Sequence, residues 1–350
     1  MEQLHRFYRH QLPTISQDFS DNKQPQRSKK LHAQSIIINY QFSIMYAPIL
    51  LFAYNRPAHL KRCIQSLQLN TLAPESDLYI ISDDAKNESF AAGVREVRQY
   101  LATINEQQSG FKSFTVIERT ANWGLADNII EAVTRFTKDF GKVIVVEDDL
   151  VLAPYFLQFM NDALEVYKDE PRVGHIQACD FINSSDMPMT FLIKWTGSWG
   201  WGTWDRAWQY YNPNGLQLLQ QLEERKLTKA FDFNGKYGFT RMLRRQIAGL
   251  NNSWAIRWNA SLFLNDMLSL NAGRSLVQNE GFDNSGTNCG GGNLYSSDLW
   301  MQPIPVVKEP VIEENLFARQ QFELYYGRTN SFWAKAWRRI KRTLRGDFKA

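Results

Sequence analysis

Short apolar runs alternate with stretches of helical periodicity between Pro48 and Glu147. The runs have the length of strands and are rich in Ile, Val and Phe, whereas apolar residues between them recur every three or four positions. The strand-like runs are 48–54, 78–82, 114–118 and 143–147, and the helical stretches are 57–69, 90–106 and 124–140. This alternation predicts the α/β class, with a mostly parallel central sheet and helices on both of its faces.

Polar residues follow these predicted strands at the points where they end. In an open parallel sheet the carboxyl ends of the strands meet at one rim, which is where ligands collect. Acidic oxygens suit hard cations such as Mg²⁺ and Mn²⁺, so a metal site is the favoured interpretation and a solvated turn is the alternative. The residues are Asn55 and Arg56 after the first run, Asp83 and Asp84 after the second, and Glu147, Asp148 and Asp149 after the fourth.

Composition and charge narrow the classes of function. The 350 residues are 44% hydrophobic, which is enough for a large core, and no run reaches the roughly 18 to 20 apolar residues of a membrane-spanning helix. The net charge is +4, but residues 46–331 carry −5, which argues against nucleic acid as a partner. The first residues lack the apolar core of a secretory signal, so we expect a cytoplasmic protein.

Several familiar motifs are absent from the sequence. There is no phosphate loop, no G-x-G-x-x-G after the first predicted strand and no G-x-S-x-G. Cys63, Cys179 and Cys289 are scattered, so neither a zinc site nor a disulfide framework is indicated. The string "VVEDD" also occurs at the start of receiver domains, but there the acids end the first strand, and here three predicted strands precede them.

The second half of the chain is rich in tryptophan. Residues 194–211 contain five tryptophans separated by glycines, and Trp254 and Trp258 follow. Tryptophan at this density is mostly core, but sugar rings stack on exposed indoles. We therefore expect one or two of these residues to contact sugar, with Trp199 and Trp201 as the candidates.

At these residues the sequence resembles the GT-A glycosyltransferases. The likeness is strongest to the branch that contains the N-acetylglucosaminyltransferase that starts complex N-glycans and related bacterial sugar transferases. It covers about residues 48–289, and its most specific stretch is "VVEDDLVLAPYFLQFM" (145–160), which is similar to the acidic motif of that family. The resemblance implies a nucleotide-diphosphate sugar donor, a glycan or lipid-linked acceptor, Mn²⁺ or Mg²⁺ as cofactor, and an inverting reaction.

The resemblance also implies roles for individual residues. It makes Asp149 the direct metal ligand, and it places Glu147 and Asp148 against the ribose and the transferred sugar. The first nucleotide loop is "YNRP", with Asn55 and with Arg56 reaching the diphosphate or the base. The remaining nucleotide contacts that it implies are Asp83 at the base or ribose and Asn122 in "NWGLADNI" (122–129).

The catalytic base is harder to place. An inverting transferase needs a carboxylate that takes the proton of the acceptor hydroxyl, and the family carries this acid near tryptophan in the second half. Here "NNSWAIRW" has Asn251 and Asn252 at that place, so Asp232 in "KAFDF" and Asp180 in "ACDF" are the candidates. In "GTNC", Asn288 stands where many such enzymes have a histidine that helps to hold the metal.

These departures keep two alternatives open. One is a non-catalytic sugar-binding protein on a degenerate transferase scaffold. The other is a nucleotidyltransferase, which shares the sheet and the cation but usually has a Gly-rich loop that is not seen after "PILLFAY" (48–54).

Four regions are predicted along the chain. Residues 1–45 read as a poorly ordered leader, 46–170 as the nucleotide-sugar-binding half of the GT-A domain, and 171–331 as its acceptor-binding half. Residues 332–350 hold seven basic residues and one acid around an apolar stripe, which is typical of a helix lying on an anionic membrane. We expect attachment to the inner face of the cell membrane, in the synthesis of a surface polysaccharide or glycoconjugate.

Overall fold

The computed structural model describes residues 45–106, 109–282 and 298–330. The predicted leader and the predicted basic tail lie outside these residues, apart from Met45. The strands are β1 (Ile49–Ala53), β2 (Asp77–Ser82), β3 (Ser113–Glu118), β4 (Lys142–Glu147), β5 (Leu150–Leu152), β6 (Val173–Gln177), β7 (Thr190–Ile193), β8 (Trp201–Trp204), β9 (Leu268–Ala272) and β10 (Val277–Asn279). The helices are α1 (Pro57–Gln68), α2 (Glu88–Glu106), α3 (Leu125–Phe140), α4 (Phe156–Val166), α5 (Asp205–Trp208), α6 (Gly215–Glu224), α7 (Thr228–Phe231), α8 (Phe239–Ile247), α9 (Trp254–Leu264) and α10 (Leu316–Thr329).

Eight strands form the central sheet, in the order β3-β2-β1-β4-β8-β6-β9-β7. The first four are parallel, and Phe52 of β1 lies opposite Glu147 of β4. Strand β8 runs antiparallel to both β4 and β6, so β4 and β6 point the same way. The predicted α/β class is confirmed, and the carboxyl ends of β1, β2, β4 and β6 meet at one edge.

The helix ends show why the sequence folds in this way. Pro57 occupies the first turn of α1, where its missing N–H costs nothing. Helix α3 ends at Gly141, whose φ of 77° is left-handed and whose N–H bonds to the carbonyl of Thr137. The buried face of α3 carries Ile129, Val133 and other apolar residues at helical spacing, which explains why this helix was predictable.

The sequence of residues 148–171 predicts a loop and then an amphipathic helix that ends at Pro171, and the structure differs from both parts of this prediction. The segment that follows the three acids is not a loop, because Leu150–Leu152 form β5 and pair with β10 in a separate two-stranded sheet. Helix α4 ends at Val166, five residues before Pro171. The missing signal is the partner strand, which lies more than 120 residues further along the chain.

A second hydrophobic core lies among α6, α8, α9 and α10. It is strongly aromatic, and Phe233 stacks on Phe322 with ring centroids 5.7 Å apart. The main core surrounds the sheet and includes the buried faces of α1, α3 and α4. Within the described residues, no helix combines the length and the apolar character that crossing a membrane requires.

Candidate active site

The acidic residues after β4 lie against Arg56, which follows β1. The Nη2 atom of Arg56 donates to Oδ1 of Asp148, and Nη1 lies 3.0 Å from Oδ2 of Asp149. The backbone N–H of Tyr54 donates to the other oxygen of Asp148 at 3.3 Å. The parallel register of β1 and β4 therefore brings the "YNRP" segment and the carboxylates together, as their positions at strand ends predicted.

The carboxylates are far more buried than a solvated turn would be. Asp148 and Asp149 are 3% and 7% exposed. Burial raises the pKa of Asp148 to about 6, although Arg56 opposes the shift. Burial, followed by the charges of Asp149 and Asp148, raises the pKa of Glu147 to about 8. Burial lowers the pKa of Arg56, but the two carboxylates outweigh it and the net shift is upward.

One consequence is a definite charge state for the site at neutral pH. Glu147 holds a proton, because three adjacent carboxylates with a single guanidinium leave an excess of negative charge in a poorly solvated place. Asp148 and Asp149 share the guanidinium of Arg56. The guanidinium of Arg56 therefore offsets part of the repulsion between the neighbouring carboxylates.

The segment that follows β10 also packs against Asp149, and the sequence did not predict this contact. The N–H of Glu280 donates to the backbone carbonyl of Asp149 at 2.8 Å, so the chain beyond β10 passes over the carboxylate. The N–H of Gly281 donates to Oδ1 of Asn279 at 2.7 Å. A Cβ atom at Gly281 would lie 2.2 Å from Oδ2 of Asp149 and 3.0 Å from its Cγ. Only glycine fits there without displacing the carboxylate.

Asp83 organises the loop that leads into α3. It is 6% exposed, and its carboxylate accepts hydrogen bonds from the N–H groups of Trp123 and Gly124 at 2.9 and 2.8 Å and from Nδ2 of Asn122 at 3.0 Å. Asn122 also donates to the carbonyl of Asp84 at 2.7 Å. The two predicted nucleotide-binding residues are therefore brought together, and both oxygens of Asp83 already have protein donors.

The neighbouring surface carries an exposed indole. Trp123 is 43% exposed, and the guanidinium of Arg119 lies 3.9 Å above its ring. A groove of about 660 Å³ runs from Trp123 along the outer face of α3 and is lined there by residues such as Asp127 and Glu131. None of the carboxylates after β4 lines it. Asn55 lies instead at the start of α1, where its carbonyl is in close contact with Gly93 of α2.

The two candidates for the catalytic base lie in different surroundings. Asp180 follows β6 at the same edge of the sheet as the acids after β4. It is 3% exposed, its carboxylate accepts from the N–H groups of Ile182 and Asn183 at 3.0 and 3.1 Å, and burial raises its pKa to about 6. Asp232 lies by the second core and accepts from the N–H of Thr240 at 2.6 Å, at the start of α8. Burial raises its pKa as well.

Asn252 precedes α9, close to the tryptophan cluster. Its Oδ1 accepts a hydrogen bond from Nη2 of Arg257 at 3.2 Å. Ser253 caps α9 by accepting from the N–H of Ile256 at 3.2 Å, which fixes the direction in which the helix starts. The chain therefore holds an amide, oriented by an arginine, at the place where the resemblance implies an acid. Asn288 lies outside the described residues.

The expectation that Trp201 stacks on sugar was wrong. Trp201 is completely buried, with its ring stacked 5.3 Å from that of His175 and 5.0 Å from that of Trp254. It forms part of β8, whose four residues are all buried. Burial lowers the pKa of His175 to about 3, so this histidine is neutral and serves packing. Trp199 is half-buried and makes an edge contact with Phe282, so it remains a candidate.

The oxygen atoms of this site suit a cation that has one protein ligand, and they do not form a site with several protein ligands. Oδ1 of Asp149 is buried and has no hydrogen-bond partner, which leaves one carboxylate oxygen for a ligand. Across the described ranges, no three His, Cys, Asp or Glu side chains converge on a point that could hold a metal. The site therefore fits a divalent ion that takes one carboxylate from the protein and its other ligands from phosphate and water, as Mg²⁺ often does.

The sheet order and the acids at its carboxyl edge define the GT-A fold of nucleotide-sugar transferases. The chain belongs to glycosyl transferase family 2, whose model matches residues 49–249, more than half of its length. The match includes Arg56, Asp83, the three acids after β4 and both candidates for the base. The protein is therefore a glycosyltransferase by family.

Solved structures resemble the chain only distantly. Residues 1–349 of TarS from S. aureus share 12% identity over 66% of this chain and 59% of that one, with a TM-score of 0.37. GlyE from Streptococcus pneumoniae TIGR4 shares 11% identity over 68% of this chain and 46% of the GlyE chain, with a TM-score of 0.30. Mouse xyloside xylosyltransferase 1 shares 13% identity over 51% of this chain and 75% of the mouse chain, with a TM-score of 0.29. The chain spans 23% of a longer TarS structure. No curated protein matches it.

Proposed function

We propose that the protein is a metal-dependent, inverting glycosyltransferase that moves a sugar from a nucleotide-diphosphate donor to a glycan or lipid-linked acceptor. The observation that carries this proposal is the pairing of Arg56 with Asp148 and Asp149, which leaves one buried oxygen of Asp149 unpartnered. A guanidinium beside an available carboxylate oxygen offers both signs of charge that a cation-bound diphosphate requires.

Each residue then has a defined task. Arg56 binds the diphosphate, because its fork of donors matches phosphate oxygens. Asp149 is the protein ligand of Mn²⁺ or Mg²⁺, which when bound would offset the charge of the leaving diphosphate. Glu147, protonated at neutral pH, is a hydrogen-bond donor, whereas Asp148 is an acceptor for hydroxyl groups of ribose or sugar. Asp83 acts by holding the loop of Asn122 and Trp123 in place beside the nucleotide.

Asp180 is a better candidate for the base than Asp232. Val145 of β4 and Gln177 of β6 both lie opposite Trp201 of β8, so Asp148 and Asp180 are each three residues beyond the same level of the sheet. Two strand spacings separate them, which is roughly 10 Å and leaves room for a sugar between the carboxylates. The raised pKa of Asp180, about 6, suits a group that takes up a proton near neutral pH.

The proposed acceptor and pathway come from the sequence and from the family. The relation to the N-acetylglucosaminyltransferase branch comes from "VVEDDLVLAPYFLQFM" (145–160), and the choice of a glycan acceptor comes from the family. We propose a cytoplasmic protein attached to the inner face of the membrane through residues 332–350, on the strength of their charge and apolar stripe. The division into donor half 46–170 and acceptor half 171–331 is part of the same proposal.

A non-catalytic sugar-binding protein is the second candidate, and the amide of Asn252 favours it. Both candidates bind the donor, but only the first turns it over. Slow release of free sugar from the matching donor in the presence of Mn²⁺ therefore separates them.

Calorimetric titration tests the donor site directly. UDP-, GDP- and dTDP-sugars are titrated with and without Mn²⁺ into the parent protein, into Asp149→Ala, and into Asp139→Ala, which changes an exposed acid on α3. We expect cation-linked uptake of one nucleotide class by the parent and by Asp139→Ala, and a loss of that linkage in Asp149→Ala. If no nucleotide sugar binds, or if Asp149→Ala binds like the parent protein, the proposal is wrong.

A further inference from the structure

The second half of the chain carries a strongly basic segment that the catalytic proposal does not use. Residues 225–250 contain seven basic side chains and one acid, although residues 46–331 as a whole are acidic. We name this segment, which covers α7, α8 and the turns around them, the basic surface. Its cations are Arg225, Lys226, Lys229, Lys236, Arg241, Arg244 and Arg245.

Helix α8 shows that the charge lies on one face. Its buried residues, Phe239, Thr240 and Leu243, point to the second core. At 100° per residue, the three arginines fall on the opposite side within about one third of a turn. Arg241, Arg244 and Arg245 are all exposed. The helix is thus anchored by its apolar face and presents its arginines outward.

Most of this charge has no ion-pair partner among the residues that the structure describes. Arg244 pairs with Glu223 at the end of α6, with Nη2 and Oε1 2.8 Å apart. Within the described parts of the chain, none of Lys226, Lys229, Lys236, Arg241 and Arg245 forms an ion pair. A surface that only keeps a protein soluble usually mixes both signs, whereas this one keeps its positive charge available.

Two apolar side chains stand at the end of the same helix. Ile247 is 38% exposed and Leu250 is 61% exposed. Gly249, with φ of 69°, turns the chain between them and closes the segment. Exposed apolar residues next to arginines are the combination found on surfaces that enter the headgroup layer of a membrane.

The course of the chain gives a further argument. Helix α10 packs beside the basic surface, because Tyr326 contacts Tyr237 with ring centroids 4.4 Å apart and Gly327 lies next to the side chain of Lys236. It ends at Thr329, so residues 332–350 follow in sequence from a point next to the basic surface. Those residues hold a further seven basic side chains and one acid.

We propose that the basic surface docks on an anionic phospholipid membrane. Phosphate headgroups supply the missing negative charge, and Ile247 and Leu250 enter the boundary of the acyl region. The surface lies in the folded body, so it fixes the orientation of the domain on the membrane, which a terminal segment on its own does not. The proposal does not depend on the donor site, and its test needs no nucleotide sugar.

The test is sedimentation of the full chain with vesicles of 30% phosphatidylglycerol and 70% phosphatidylcholine. The variant K229Q/R241Q/R245Q removes three charges that have no ion pair in the structure. The control K61Q/R95Q/K138Q removes three exposed charges from α1, α2 and α3. At about 1 kcal/mol per basic residue, the first variant should bind on the order of 100-fold more weakly, and the control should bind like the parent protein.

Four further measurements show whether charge on this surface causes the binding. The charge-preserving variant K229R/R241K/R245K should retain vesicle binding, and thermal unfolding should show that all variants are folded. Binding should also fall steeply between 0.1 and 0.5 M salt and should be absent with pure phosphatidylcholine. Equal binding by the two glutamine variants overturns the proposal, as does a parent protein that sediments with an acidic polysaccharide but not with the vesicles.

Discussion

Glu147 should make the stability of the donor-free protein depend on pH in an unusual direction. Its pKa is raised to about 8, first by burial and then by the charges of Asp149 and Asp148. In the unfolded chain the ordinary value of about 4.3 applies. Between these two values the folded state holds a proton that the unfolded state does not. The stabilisation is therefore complete below the lower value and is lost as the pH rises through the higher one.

The size of the effect follows from linkage. For a single group that titrates near pH 8 in the folded protein, raising the pH from 7 to 8 lowers the free energy of unfolding by about 1 kcal/mol. In a chain of this size that corresponds to a fall of roughly 2 °C in the melting temperature. Asp148 and Asp180, whose pKa values are raised to about 6, change the free energy of unfolding mainly below pH 7. The lowered pKa of His175 has the opposite effect, because it makes the free energy of unfolding rise with pH. This effect falls mainly below the ordinary pKa of about 6.5 that applies in the unfolded chain.

The assay is thermal unfolding in EDTA at pH 7.0, 7.5 and 8.0, with constant ionic strength. The variant Glu147→Gln keeps the shape of the side chain and replaces the protonated carboxyl group by an amide that still donates a hydrogen bond but cannot ionise, so its melting temperature should be flat over this range. Glu118→Gln, at the end of β3, is the matched control and should behave like the parent protein. A parent protein with no slope, or a Glu147→Gln variant with the same slope, would refute the assignment of the proton to Glu147.

Four other substitutions test the site, the first of them with a control. Gly281→Ala should weaken cation-linked donor binding at least tenfold in calorimetry, because its Cβ displaces the carboxylate below it, whereas Gly327→Ala in α10 should leave binding unchanged. Asn252→Asp should leave the transfer rate unchanged, because Asp180 supplies the base, and a raised rate would show that the base belongs before α9. Trp201→Ala should destabilise the protein by about 3–5 kcal/mol in denaturant unfolding, while Trp199→Ala should mainly raise the KM for acceptor.

Local patterns were enough to predict the first half of the sheet. Strands β1 to β4 are short apolar runs between amphipathic helices, and each of them falls within two residues of its predicted position. Because parallel strands end at a common edge, their positions also predicted that Arg56 would lie near the acids. That prediction depends on sequence order and strand direction alone, both of which can be read from the chain.

The features that the sequence did not predict depend on contacts between distant segments of the chain. Strand β5 has only three residues and exists because β10 pairs with it, so no local pattern marks it. The packing of Gly281 on Asp149 joins positions 132 residues apart, and the Gly-rich sequence after β10 gave no reason to place it there. Trp201 lies on β8, which pairs with β4 and β6 and is buried along its whole length, and the Gly-rich string "GWGTW" does not mark such a strand.

The position of Arg56 has a consequence for donor binding. In the structure its two outer nitrogens pair with Asp148 and with Oδ2 of Asp149, so the arginine shares the Asp149 carboxylate with a cation that binds the unpartnered Oδ1. A cation alone would place a second positive charge beside the half-buried guanidinium, which is costly because like charges repel strongly in a poorly solvated place. A diphosphate that arrives with the cation supplies new acceptors for the arginine. We therefore expect cation and donor to bind cooperatively, each weakly without the other, and independent binding of Mn²⁺ with undiminished affinity would show that Arg56 does not couple them.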